Sequence, residues 1–219
     1  MFKINKFDLL VSVYIFCIAV SELMGAKTFP LGEIGPMRFN ASVAIFLLPL
    51  VFTINDVIVE VKGKERARSV VRSGLVVVAL IFAFSLLAIM LPPSMRFKET
   101  EGAYDTIFAK SARFSAASLI AFALSEFTDI LVFVKLRAKM KSSGLWLRNN
   151  LSNFIAQFID TVIFITLAFY ALDRGLGNNA SFLWSIILPY WIIKCAMSIV
   201  ETPLVYAGVR WLRGEENKK

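Results

Sequence analysis

The chain has 219 residues, 58% of them hydrophobic, and its mean hydropathy is +0.69. Soluble domains average about 45–50% apolar residues, so this composition excludes an ordinary water-soluble protein and indicates a membrane protein. The formal net charge of +8 alone would suit nucleic acid, but the cations lie where membrane topology explains them.

Six apolar stretches are long enough to cross a bilayer, since a helix needs about 20 mostly apolar residues to do so. In chain order they are Phe7–Met24, Phe39–Val59, Ser69–Leu91, Ser111–Leu136, Leu147–Leu172 and Phe182–Trp211. The longest connection, Pro92 to Lys110, is too short for a folded domain. We therefore predict an all-α integral membrane protein in which residues 1–219 form one transmembrane domain, a bundle of six helices. A three-plus-three division would permit inverted halves.

The distribution of Lys and Arg predicts the orientation. With the N-terminus inside, 16 of the 24 Lys and Arg residues fall in inner segments and 7 in outer ones. By the positive-inside rule we expect both termini in the cytoplasm and the protein in the cytoplasmic (inner) membrane. The basic clusters are then topology determinants, so the lipid bilayer and not nucleic acid is the expected partner. Met24, at the would-be −3 position of a cleavage site, favours an uncleaved first helix.

No cofactor or metal site is predicted. The chain has no His, and Cys17 and Cys195 both lie inside apolar runs without a CxxC motif. A Cys/His metal site or a disulfide framework needs more than this. We interpret both cysteines as small core residues.

A polar stripe runs along the fifth predicted span. Its members are Asn149, Asn153, Gln157 and Asp160, which fall within roughly 80° of one another at about 100° per residue. Lipid cannot satisfy amides and a carboxylate, so the stripe must face a bundle interior or a cavity. We hypothesise that Asn153, Gln157 and Asp160 bind substrate and that Asn149 takes part in gating or coupling.

Three further spans carry polar stripes, and we predict that all four stripes turn toward a shared interior. In span six the stripe supplies three substrate-binding candidates: Tyr190, Lys194 and Glu201. Spans two and four supply the candidates for gating or coupling: Asp56, Glu60, Glu126 and Asp129. The acids nearest the cytoplasmic ends have a structural alternative, which is to pair with the snorkelling cations Lys62, Lys64, Lys135 or Arg137.

Lys194 is the one cation deep within a span, and an unpaired ammonium at mid-membrane costs at least ~3 kcal/mol. It needs a partner, and the available acids are Asp160, Glu126 and Glu201. Three carboxylates around one ammonium leave excess negative charge, which either protons or a ligand rich in N–H donors must neutralise. The alternative is a static Asp160–Lys194 ion pair that only fixes helix register.

Four segments together carry a family resemblance: residues 49–63, 126–130, 148–161 and 190–203. They contain the acids of span two, Asp129, the stripe that ends in Asp160-Thr161, and Lys194 leading to Glu201-Thr202-Pro203. In order, spacing and six-span layout the chain resembles the queuosine precursor transporter family of vitamin uptake transporter-like proteins. The similarity spans nearly the whole chain. One departure is Lys62, which stands before Gly63 where the family usually has an aromatic residue.

The resemblance implies import of 7-deazaguanine bases, such as 7-cyano-7-deazaguanine, its 7-aminomethyl relative or queuine, for a modified base in transfer RNA. A guanine-like edge has N–H donors that a carboxylate accepts and a carbonyl that Lys or an amide can reach. The residues proposed to hold this nucleobase-like substrate are Asp160 or Glu201 as acceptors, Lys194, Gln157 or Asn153 as donors, and Tyr190 as a stacking ring.

We therefore predict an alternating-access carrier and not an enzyme. Within transport, the alternative is a substrate-binding subunit of an energy-coupling-factor importer. A membrane-embedded enzyme would have to use Glu126, Asp129 and Asp160 as acid–base groups, and the absence of His and of a phosphate-binding glycine loop argues against it. A homodimer is plausible for so small a carrier.

Overall fold

The computed structural model of the protein describes residues 4–35, 37–139, 145–200 and 202–216. This part of the chain is mostly helical, as the sequence predicts. The elements are α1 (Lys6–Met24), β1 (Thr28–Ile34), β2 (Met37–Ser42), a short 3-10 helix (Val43–Phe46), α2 (Leu48–Lys62), α3 (Lys64–Met90), α4 (Lys98–Lys139), α5 (Leu145–Phe169), α6 (Leu176–Val200) and α7 (Thr202–Glu216). The two strands pair in a two-stranded sheet.

Five helical segments of the described chain are long and apolar enough to cross a bilayer: Lys6–Met24, Val43–Lys62, Lys64–Met90, Lys98–Ser125 and Leu176–Met197. A shorter apolar stretch, Phe154–Phe169, lies within α5. These helices define a multi-pass membrane protein of the class that the composition predicts. The count of six spans, the cytoplasmic position of both termini and the inverted halves stay predictions.

Helix boundaries in the first part of the chain follow local signals. Asn5 caps α1, because its side-chain oxygen accepts hydrogen bonds from the backbone N–H groups of Phe7 and Asp8, which a helix start otherwise leaves unsatisfied. Gly63 separates α2 from α3 with a φ of +82°, a conformation that glycine adopts without strain. The chain can therefore turn between two long helices at a single residue.

The hairpin of β1 and β2 corrects the predicted second span. That span was expected to begin at Phe39, but residues 37–42 form a strand and the α-helix begins at Leu48, after the 3-10 turn. The strands reverse direction beside Gly35, whose φ of +60° suits a tight turn. Hydropathy counts apolar residues without regard to their conformation, so it merged the end of the strand with the helix.

One other predicted boundary is also wrong. The segment from Lys98 to Lys110 was expected to be a connection, but it forms the first turns of α4, where Glu99 and Glu101 suit the positive end of a helix. In the region of the predicted sixth span, α6 is described up to Val200 and α7 from Thr202, and Glu201 between them lies outside the described residues.

The chain divides into two compact units. Unit 1 contains Met1–Thr28, Ser42–Ser115 and Ala196–Lys219, and therefore α1, α2, α3 and α7. Its core includes Tyr14 of α1, Ile58 of α2 and Val70 of α3, which are buried together. α7 approaches α2 so closely that a Cβ added at Gly208 would lie 2.6 Å from Cγ2 of Val57.

Unit 2 contains Phe29–Ala41 and Ala116–Cys195, and therefore most of the hairpin, α5 and most of α6. Aromatic side chains hold α5 against α6: the ring of Phe158 lies 5.2 Å from that of Trp191, edge to face, and 6.4 Å from that of Trp184, stacked. Asn40 Nδ2 of β2 donates to Ser185 Oγ of α6 at 2.8 Å. The two units interleave along the sequence, and the prediction of a single transmembrane domain stays a prediction.

Candidate functional site

The deep cation of α6 is paired with an acid of α5. Lys194 Nζ lies 2.9 Å from Asp160 Oδ2, and the two side chains are 14% and 29% exposed. Partial burial strengthens the attraction between the charges, and pairing removes the penalty that an isolated ammonium would carry in a membrane. Of the three acids that the sequence offers to Lys194, the structure brings Asp160 to it. Glu201 lies outside the described residues, and the side chain of Glu126 lies outside the described side chains.

Thr161 extends the ion pair into a small polar network. Its buried hydroxyl accepts a hydrogen bond from Lys194 Nζ at 3.1 Å and donates to the backbone carbonyl of Gln157 at 2.7 Å. Thr161 was not among the predicted site residues, although its position directly after Asp160 was a usable signal. This second bond fixes the ammonium between α5 side chains and orients the pair.

Gln157 lies one helical turn before Asp160 and on the same face of α5. Its Oε1 atom is buried, and no hydrogen-bond donor among the described residues reaches it. A buried acceptor is costly unless it is bonded. Gln157 therefore offers a favourable partner to an N–H donor on the face that carries the ion pair.

Tyr190, one turn before Lys194, is buried within unit 2. Together the described polar groups on α5 and α6 supply a carboxylate that accepts, an ammonium that donates and an amide that can do both. Such a set can hold a polar ligand by exchanging bonds within the pair for bonds to the ligand. In the part of the chain that the structure describes, no group of three His, Cys, Asp or Glu residues is arranged to hold a metal ion.

Asp56 and Glu60 lie on α2, in unit 1, and both are exposed. Glu60 Oε1 lies 3.4 Å from Arg213 Nη2 of α7, and these side chains are 62% and 54% exposed. The sequence did not suggest Arg213 as the partner of Glu60, because the two residues are far apart in the chain. The gating or coupling role of both acids stays a prediction.

The remaining predicted site residues have side chains outside the described part of the structure: Asn149, Asn153, Glu126 and Asp129. Glu201 lies outside the described residues altogether. The predicted convergence of four polar stripes on one chamber, and the substrate-binding role of each residue, therefore stay predictions.

Unit 2 also contains an open pocket of about 550 Å³ between the hairpin and the start of α6. Its lining includes Arg38 and Asn40 of β2, Arg174 of the connection between α5 and α6, and Phe182, Trp184 and Ser185 of α6. Neither Asp160 nor Lys194 lines it. Sequence reasoning missed this pocket because it depends on the hairpin, which periodicity did not reveal. The usable signal was that Arg38 and Arg174 both lie in connections that the positive-inside rule places outside.

Fold and site define a multi-pass helical membrane protein with a sheltered ion pair between two of its helices. Residues 42–208 match the model of a protein family described as "Putative vitamin uptake transporter". The chain is also 31% identical, over 204 residues, to the "Probable queuosine precursor transporter" of Bacillus subtilis (strain 168); the match covers 92% of this chain and 83% of that relative. No solved structure matches the chain.

The chain therefore belongs to the vitamin uptake transporter family, a family of membrane transporters. The family resemblance drawn from the four segments of the sequence is confirmed. All four of those segments lie wholly within the matched residues: 49–63, 126–130, 148–161 and 190–203, the last of which holds Lys194.

Proposed function

We propose that this protein imports queuosine precursors, 7-deazaguanine bases, across the cytoplasmic membrane by alternating access. Two findings support the proposal: membership of a transporter family, and similarity over most of the chain to a relative whose name specifies a queuosine precursor. Family membership supports transport as the activity, and the relative's name supports a queuosine precursor as the substrate. The residues on α5 and α6 contribute the chemistry of recognition.

The observation that carries the proposal is the sheltered pair of Asp160 and Lys194 with Thr161 beside it. A guanine-like base has neighbouring N–H donors on one edge and a carbonyl acceptor next to them. A carboxylate accepts such donors in pairs, and an ammonium donates to the carbonyl. Asp160 and Lys194 present these two functions within 2.9 Å of each other.

In this proposal the base enters by replacing the direct bond between Asp160 and Lys194. Asp160 then accepts from the N–H edge of the base, while Lys194 donates to its carbonyl and keeps its bond to Thr161. Gln157 Oε1 accepts a further N–H from the ligand. Because each charge exchanges one polar partner for another, neither is left unpaired at membrane depth, and the base binds without an uncompensated desolvation cost.

A binding measurement on purified protein tests the substrate class. The ligands are 7-cyano-7-deazaguanine, 7-aminomethyl-7-deazaguanine, queuine, guanine and an unrelated vitamin, each titrated by isothermal calorimetry. We expect at least one deazaguanine to bind more tightly than guanine and the vitamin not to bind. Binding of the vitamin with no binding of any deazaguanine would end the proposal.

Uptake into liposomes that contain only this protein tests transport itself. Accumulation of a radiolabelled deazaguanine would show that the chain works without an energising partner, whereas binding without uptake would indicate a substrate-binding subunit. The Asp160→Asn and Lys194→Met variants should lose uptake. Asp173→Asn and Lys110→Met, which change exposed residues of the same types, should keep it. Wild-type uptake by both site variants would remove the ion pair from the mechanism.

A further inference from the structure

The pocket at the start of α6 has the size and the mixed lining of a small-molecule site. Its volume of about 550 Å³ falls within the roughly 300–1,000 Å³ typical of such sites. Aromatic rings and polar groups line it together, which fits a flat heteroaromatic molecule better than a lipid chain. The cation distribution predicts that this end of α6 faces outward, in which case an imported molecule would meet the pocket first.

The charged groups of the lining are all cationic. Arg38 and Arg174 are the charged residues among the described residues that line the pocket, and none of these is acidic. Arg38 is offset by Glu33, whose Oε1 lies 2.8 Å from Arg38 Nε. Arg174 forms no ion pair with any residue that the structure describes. The pocket therefore carries a net positive charge, which attracts ligands rich in acceptors and repels cations.

The aromatic part of the lining is held in place from behind. Trp184 is 45% exposed and lines the pocket, while Phe158 of α5 stacks against it. Phe182 is supported edge to face by Phe169, with ring centroids 6.5 Å apart and an interplanar angle of 73°. A supported ring presents its face to a flat ligand with little loss of side-chain freedom, which favours stacking.

The polar part of the lining is also preorganised. Asn179 is buried at the start of α6; it accepts a hydrogen bond from the backbone N–H of Ala171 and donates to the carbonyls of Ala171 and Arg174. This one side chain closes the loop that carries Arg174. Across the pocket, the bond from Asn40 to Ser185 joins β2 to α6.

The aromatic wall of the pocket continues toward the ion pair. Phe158, which stacks against Trp184, also contacts the ring of Trp191, two helical turns further along α6. Trp191 lies three residues before Lys194, on the same side of α6. The ring contacts therefore extend along α6 from Trp184 of the pocket to the helical turn before Lys194.

We infer that this pocket is an outer capture site that selects uncharged, acceptor-bearing heteroaromatic bases over cationic ones before transport. Trp184 stacks on the base, and Arg174 donates to its carbonyl or to an acceptor substituent. The inference rests on the proposed function, and it ranks the substrates: 7-cyano-7-deazaguanine, whose nitrile is an acceptor, is favoured over 7-aminomethyl-7-deazaguanine, whose amine is protonated near neutral pH.

The test measures the affinity of both bases for the full-length protein in nanodiscs of neutral lipid. Wild type should bind the cyano base more tightly. Arg174→Glu changes the local charge by two units, and at about fivefold per unit charge for a solvated contact it should shift the ratio of the two affinities by roughly tenfold or more toward the aminomethyl base. The matched control is Arg96→Glu, at an exposed arginine in unit 1, which should leave the ratio unchanged.

Trp184 supplies a second, independent variant. Trp184→Leu should weaken both bases about fivefold or more, within the range of base–aromatic stacking, and Trp184→Phe should restore most of the affinity. Melting temperatures of the variants show whether each one is folded, and Arg174→Glu keeps the test decisive if Trp184→Leu does not fold.

Three results would overturn the capture site. Unchanged affinities in both Arg174→Glu and Trp184→Leu would remove it, and so would an equal loss of both bases in Arg174→Glu. A wild-type preference for the aminomethyl base would contradict the charge selection. In each case loss of uptake in Asp160→Asn would leave the proposed function standing, whereas failure of every deazaguanine to bind wild type would refute that function itself.

Discussion

The two units each contain an ion pair between helices, and the two pairs differ in their surroundings. In unit 2, Asp160 and Lys194 are 2.9 Å apart and mostly buried, with Thr161 as a third partner. In unit 1, Glu60 and Arg213 are 3.4 Å apart and more than half exposed. Exposed pairs contribute little to stability, whereas a buried pair leaves a costly charge behind when one partner is removed. Removing one partner should therefore cost more stability in unit 2 than in unit 1.

The largest effect is expected from breaking the pair of unit 2. Asp160→Asn leaves Lys194 without its carboxylate and should destabilise the protein by about 3 kcal/mol, seen as a lower melting temperature in detergent. The double variant Asp160→Asn/Lys194→Met removes both charges and should recover most of that stability. It should not recover uptake, and if it did, the pair would be only structural.

Unit 1 should respond more to packing than to charge. Gly208→Ala places a methyl group 2.6 Å from Cγ2 of the buried, stiff side chain of Val57, so α7 must shift away from α2 at a cost of about 2 kcal/mol. Gly214→Ala, in the same helix with no atom within 4 Å of the added Cβ, should be neutral or slightly stabilising.

Thermal unfolding of these two variants tests whether the close approach matters. Adding Val57→Ala to Gly208→Ala should restore part of the lost stability by making room for the methyl group. Equal melting temperatures for Gly208→Ala and Gly214→Ala would show that the contact between α2 and α7 is not tight.

A smaller effect is expected at Thr161. Thr161→Val keeps the shape of the side chain but removes the hydroxyl that accepts from Lys194 and donates to Gln157. The loss of a hydrogen bond to a charged group should cost about 1.5 kcal/mol and should also weaken deazaguanine binding. Thr166→Val in the same helix is the control, and a loss of equal size there would show that the polar network around Lys194 is unimportant.

The smallest effect is expected at the exposed pair. Glu60→Gln should change the free energy of unfolding by about 0.2–1 kcal/mol, and added salt should shrink the difference further. The measurement is a melting curve at low and at high salt. A loss as large as that of Asp160→Asn would erase the distinction between the two pairs.

Sequence reasoning found the ion pair because a membrane makes an unpaired ammonium expensive. Lys194 therefore required an acid, and spacing along α5 and α6 placed Asp160 among the candidates. Choosing Asp160 over Glu126 and Glu201 needed the rotation of each helix about its axis, which one sequence does not supply. Thr161 was missed because a hydroxyl in an apolar run can also bond within its own helix.

The helices of the fold were predictable, but their ends were not. Hydropathy detects the apolar part of a helix, so it missed the polar first turns of α4 from Lys98. Hydropathy also joined the strand at Phe39 to the following helix, because both contain apolar residues and differ only in how these residues are spaced along the chain.

The loop from Ala171 to Gly175 is held by the side-chain amide of Asn179, which hydrogen-bonds to the backbone of Ala171 and Arg174. Residues inserted there would break these hydrogen bonds, so we expect an epitope tag in this loop to disturb the fold. The connection from Leu91 to Phe97 is mostly exposed and contains no comparable anchor among its described contacts. It is the better place for a tag or a reactive cysteine, and labelling it in intact cells would report which side of the bilayer it occupies.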